Sequence, residues 1–237
     1  MPHHPENMKI AGILGGLGPE STIDYYRSII ALYRHRDPNH ASPQLLIHSL
    51  DVDHGIALLN ANRHADLADY LSSGIDVLAR AGATFALVAA NTPHIVFPEL
   101  ERRSPIPLLS IVRATAEHAK SLGLKKVGLF GTGFTMNANF YPEEFDRHAI
   151  TIVRPTEEER AFIHQKYIGE LLKNQFLPPT RDAILQIANR LVREDGVEAI
   201  ALAGTELPLL LRDSPATVRF LDTTVIHVEA TVTELLK

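Results

Sequence analysis

No cysteine occurs among the 237 residues. That absence excludes disulfides, thiolate metal ligands and any thiol nucleophile or thiol base carried by this chain. No stretch approaches 18 uninterrupted apolar residues, so no membrane-spanning segment is expected. Met1–Asn7 has neither a basic n-region nor an apolar h-region, and a cytoplasmic location is the expectation. Long basic runs are missing as well. With 23 Lys and Arg against 28 Asp and Glu the formal charge is -5, and Arg102-Arg103 and Lys125-Lys126 are the longest basic pairs, so no nucleic-acid partner is expected. The 12 histidines fall at no H-x-x-x-H or H-E-x-x-H spacing, which argues against a zinc or iron site. A G-x-S-x-G nucleophile elbow is also lacking, so a Ser-His-Asp hydrolase fits poorly.

What is present is a folded composition, with 45% hydrophobic and 22% charged residues. The length suits one or two domains. Short apolar runs alternate with helix-length amphipathic segments, the pattern of strand-helix units on a mostly parallel sheet. Strands are expected at 9–14, 44–49, 84–90, 107–111, 126–130, 150–153, 198–203 and 218–221. Most are continuously apolar, as strands covered on both faces are. Helices are expected at 21–33, 65–80, 112–121, 158–172, 182–194 and 224–236, the second ending at Gly82. No low-complexity linker divides the chain, so the crossings between two sub-domains are expected near Ile111 and Ser214.

Two segments resemble each other. Thr84–Thr92 and Glu198–Glu206 each read as a buried strand that ends in a tiny residue and is followed by small polar residues at a helix start. Ligands of open α/β sheets bind beyond the carboxyl ends of strands, so these two ends are candidate walls of one pocket. Their polar residues are Asn91, Thr92, Thr205 and Glu206, and Thr132 follows another strand in the same way. Asn91, Thr92 and Thr205 are equally good helix caps, and both readings stand at this point. The turn Gly15-Gly16-Leu17-Gly18 can hold an anion on its amides, or is simply a tight turn with Ser21 as the cap of the next helix. It does not have G-x-G-x-x-G spacing, since Ser21 stands where the last glycine would be. His94 and His227 lie beside strand ends, as buried structural histidines or as proton-transfer groups.

On Met8–Thr22 with Tyr25-Tyr26-Arg27, Asn91-Thr92-Pro93-His94, Gly131-Thr132, Gly204–Pro208, Leu221-Asp222-Thr223 and His227, the chain resembles the aspartate/glutamate racemase family, the amino-acid racemases that work without pyridoxal phosphate. The resemblance implies an α/β fold of two pseudo-symmetric, flavodoxin-like parallel-sheet sub-domains, 8–111 with 215–237 and 112–214. It implies a small amino acid or carboxylate held in the cleft between them, no cofactor and no metal, and a homodimer. In that family two cysteines work on opposite faces of the substrate. Each immediately precedes a polar pair, and those positions are Ala90 and Gly204 here, which are expected to face each other. Two-thiol racemisation is therefore not expected of this chain. Glu206, His94 and His227 are the possible substitutes, and Gly16, Leu17, Gly18, Asn91, Thr92, Thr132, Thr205 and Glu206 the implied ligand-binding set. The remaining alternatives are a carboxylate-binding protein without catalysis and a one-base lyase or isomerase of the same superfamily. Where relatives acting on acidic substrates carry a lysine, this chain aligns Phe162, with Lys166 one helical turn away.

Overall fold

The computed structural model describes residues 8–38, 42–211 and 218–237. The chain divides into two compact units, Met1–Ile111 with His227–Lys237, and Val112–Ile226. Met1–Asn7 and the crossing expected near Ser214 lie outside the described residues.

The first unit contains β1 (Ile10–Gly15), α1 (Pro19–Arg36), β2 (Gln44–Ser49), α2 (Val52–Asn60), α3 (His64–Arg80), β3 (Phe85–Val88), a 3-10 turn (Thr92–Val96), α4 (Phe97–Arg103) and β4 (Leu108–Leu109). From α5 (Ile111–Ser121) onward the second unit contains β5 (Lys126–Gly131), α6 (Gly133–Asn137), α7 (Phe140–Asp146), β6 (Thr151–Val153), α8 (Glu157–Gly169), a 3-10 turn (Leu171–Lys173), α9 (Pro178–Asp195), β7 (Ala199–Ala203), α10 (Leu207–Leu211) and β8 (Arg219–Asp222). The last helix, α11 (Thr223–Leu235), begins in the second unit and ends in the first, the change falling between Ile226 and His227.

Each unit has a four-stranded sheet in which every pairing is parallel, ordered β2-β1-β3-β4 and β6-β5-β7-β8. The fold is α/β with the same strand order twice. In both sheets the chain starts at an inner strand, moves outward one way and then returns to the other side, so the order reverses between β1 and β3 and again between β5 and β7. The segments 84–92 and 198–206 occupy the same place in the two sheets. The strand Arg219–Asp222 pairs with β7 from Ala199↔Arg219 to Leu202↔Asp222, so backbone pairing holds it in the second unit. The sequence had suggested that everything from 215 onward returns to the first.

The central strands are covered on both faces, and β1 shows why. Ala11 and Ile13 join a buried cluster with Tyr25, Ile29 and Tyr33 of α1 and Val228, Val232 and Leu235 of α11. On the opposite face Leu14 packs against α3, where a Cβ built on Gly74 would lie 2.5 Å from Leu14 Cδ1. Successive residues of a strand point to opposite sides, so a strand buried twice reads as one continuous apolar run. The outer strands differ: β2 and β6 have no fully buried residue and Ile47 is exposed, because an edge strand has helices over less of its surface.

Candidate functional site

In an open parallel sheet the crevice for a ligand lies at the carboxyl ends of the strands where the order reverses. Here those ends are Gly15 beside Val88 and Gly131 beside Ala203, the last two being paired in register. Except for His227, which lies in α11 after β8, every residue that the sequence singled out beside a strand end follows one of these four strands. They lie at the starts of α1, the 3-10 turn at Thr92–Val96, α6 and α10.

In the first unit, the glycine-rich turn folds back on its own helix. Gly16 has φ of +80°, and a Cβ there would collide with the Leu50 backbone, so the position takes only glycine. Its N–H donates to Thr22 Oγ1 at 2.9 Å, so the Gly16 amide is used within the turn. Ser21 is not the cap of α1. Gly18 holds that place without a side-chain bond and Pro19 starts the helix, since the missing N–H and fixed φ of proline suit a first helical turn. Ser21 instead donates its buried hydroxyl to Ala89 O at 3.1 Å, tying the start of α1 to the segment after β3.

Strand β3 stops at Val88, two residues earlier than expected, so Ala90 sits in the loop and is 8% exposed. Asn91 is buried and heads the 3-10 turn without a side-chain bond to its amides, and Thr92 is its first residue, half-buried. Capping therefore does not account for Asn91. His94 is buried with its ring stacked on Phe97 at 4.5 Å. The Ile111 N–H donates to His94 Nε2 at 3.3 Å, which puts the ring proton on Nδ1, and Nδ1–H donates to Ala90 O at 3.1 Å. His227 is fully buried. Leu109 O lies 3.2 Å from Nε2 and can only accept, so Nε2 carries the proton and Nδ1 accepts from the Tyr25 hydroxyl at 2.8 Å. Burial holds the His227 pKa down at about 4, and the bond to Leu109 O only partly opposes it. Both histidines thus have both nitrogens committed within the protein.

The second unit gathers a different set. Thr132 caps α6, its hydroxyl accepting from the Thr135 N–H at 3.2 Å. Gly133 N–H donates to His164 Nδ1 at 3.0 Å, and partial burial lowers the His164 pKa, so this ring is neutral with its proton on Nε2. Three residues further along α8, Tyr167 is buried and donates its hydroxyl to Glu206 Oε2. Thr205 also donates to that oxygen, at 2.9 Å, and this bond gives its hydroxyl a use other than capping α10. Glu206 is only 4% exposed, and among the described residues no Lys, Arg or His pairs with it. Burial first, and then the Glu206 charge, push the Tyr167 pKa well above the usual tyrosine value, so the phenol stays protonated.

Gly204 lies under the same tyrosine. A Cβ built on it would be 2.5 Å from Tyr167 Cε2, 2.8 Å from the hydroxyl and 3.0 Å from Cζ. The ring already fills the space into which a side chain at 204 would grow. Phe162 and Lys166 go elsewhere: Lys166 pairs with Glu170 at 2.5 Å while passing 5.9 Å from the Phe162 ring centre. His164 and Tyr167 were missed in the sequence. The signal was their i, i+3 spacing on α8, which turns both rings to one side.

Two like parallel sheets, each with small and polar residues at its point of reversal, define a doubly wound α/β protein of two units. Residues 14–231 match the Asp/Glu/hydantoin racemase family, and the chain belongs to that family. Among solved structures, it is similar to a candidate Asp/Glu racemase from Yersinia pestis, with 32% identity and a TM-score of 0.88 over 97% of this chain and 100% of the other. It is also similar to an aspartate racemase homologue from Pyrococcus horikoshii OT3, with 30% identity and a TM-score of 0.83 over 97% and 100% of the two chains. The broad specificity amino-acid racemase RacX of Bacillus subtilis (strain 168) is 26% identical over 140 residues, a match that spans 55% of this chain and 57% of that protein.

Proposed function

We propose that this protein binds a small amino acid or related carboxylate at the end of β7, and that it does so without two-thiol racemisation. The observation that carries the reading is Glu206. A buried carboxylate without a basic partner is costly unless something compensates it, and such groups cluster at functional sites. Tyr167 and Thr205 both serve Oε2, whereas Oε1 accepts no hydrogen bond among the described residues and is open to the ammonium of an amino acid. Likeness to racemases supports the amino-acid class, and the absence of any cysteine supports the exclusion of thiol chemistry.

The test is thermal stabilisation by L- and D-aspartate, L- and D-glutamate and L- and D-alanine. At least one should raise the melting temperature, and a ligand at a hundredfold its dissociation constant contributes about 2.7 kcal/mol. Glu206→Gln should abolish most of that stabilisation, because a neutral amide does not pair with an ammonium. Equal behaviour of the variant and the parent, or no stabilisation by any of the six, would refute the reading.

A further inference from the structure

The Tyr167 phenol stands where a side chain on residue 204 would have to go, and this exclusion gives the site a chemistry of its own. Its hydroxyl lies 2.8 Å from the point at which a Cβ on Gly204 would be placed. It is buried, donates to Glu206, and Glu206 has no cationic partner among the described residues. A hydroxyl and a carboxylate thus lie within hydrogen-bond distance of each other beside the place a side chain on Gly204 would take, at the end of β7. The two histidines near the first unit's strand ends have their nitrogens engaged, so they do not offer a comparable group.

We propose that Tyr167 and Glu206 form a one-sided proton relay that acts on the Cα–H of the bound amino acid. This rests on the ligand reading above. In the step, the Cα–H bond breaks and its electron pair stays on the ligand, delocalised into the ligand carboxylate. The proton goes to Tyr167 Oη as the phenol proton passes to Glu206 Oε2, so the negative charge leaves Glu206 as one develops on the ligand. The reverse step returns a proton from the same oxygen to the same face. One group working on one face exchanges the hydrogen and keeps the configuration, whereas racemisation needs a second group on the other face. Tyr167 is protonated at rest, which lets it hand a proton to Glu206 at the moment it takes one from carbon.

The experiment follows the Cα–H signal of L- and D-aspartate, L- and D-glutamate and L- and D-alanine in D₂O by proton NMR. Chiral chromatography of the same samples and thermal stabilisation by the same six compounds run beside it. The intact protein should exchange Cα–H of at least one compound without forming its enantiomer. Tyr167→Phe, which keeps the ring and leaves the Glu206 carboxylate in place, should slow exchange roughly a hundredfold or more, in the range general acid-base groups contribute, while stabilisation by the ligand persists; Glu206→Gln should lose both. Tyr26→Phe, at an exposed tyrosine, serves as the control and should leave exchange unchanged. Circular dichroism checks that each variant is folded. Exchange that persists in Tyr167→Phe, or appearance of the enantiomer, overturns the relay. Stabilisation without exchange overturns the relay and leaves the ligand reading intact, while neither stabilisation nor exchange overturns both.

Discussion

At Gly204 the lack of a side chain is a packing requirement, because the Tyr167 ring and a Cβ cannot occupy the same space. Gly204→Ala should force the ring away and break its bond to Glu206, leaving a buried carboxylate with one donor fewer. The expected loss is about 1–3 kcal/mol in urea denaturation. Combined with Tyr167→Leu the same change should cost clearly less, since the clash has gone, and a double-mutant cycle reads the difference. Strict additivity of the two changes would mean that they do not share this space.

His227 supplies a second prediction at this scale. Its pKa is about 4 in the folded protein and 6.5 by reference, so the unfolded chain takes up a proton first as pH falls. Stability from this group is complete above pH 6.5 and drains away between 6.5 and about 4, amounting to about 3 kcal/mol. His227→Gln keeps an acceptor for Tyr25 and a donor for Leu109 O but does not titrate. Its melting temperature should fall less over that interval than the parent's, and parallel curves would exclude His227 as the source.

Helix ends show how far local chemistry carries. Gly82 has φ of +100° and Gly123 φ of +72°, and a Cβ at either would meet nothing within 4 Å. Gly82→Ala and Gly123→Ala should therefore each cost about 1 kcal/mol from backbone strain alone, with no packing contribution, as read by urea midpoints at constant slope. The long elements were legible in the sequence because burial imposes a period on them. All eight strands and the six long helices lie where the pattern put them, with ends shifted by a few residues. The helices that escaped notice, such as α2, α6, α7 and α10, are five to nine residues long, too short for a 3.6 period to repeat. Helix α8 is the instructive case. Its capping box of Thr156 and Glu159 is local chemistry, but which of its sides faces the end of β7 is not. The sequence drew attention to Phe162 and Lys166, and the fold turned Tyr167 there instead, Lys166 being drawn to Glu170 one turn away.

For the whole molecule, the sequence by itself determined the α/β class, the parallel sheets, the absence of thiol chemistry and the small polar residues that end β3 and β7. Each of these follows from composition or from a local period, and local signals need no tertiary structure to be read. The tertiary structure decided which polar residues have work to do within the protein. Ser21, His94 and His227 look available in the chain but are spent on Ala89, Ala90, Ile111, Tyr25 and Leu109. Tyr167 looks like a core residue of an amphipathic helix, yet it meets Glu206, 39 residues away. Hydrogen bonds between residues far apart in the chain leave no period in it, and only the folded chain brings the donor to its acceptor.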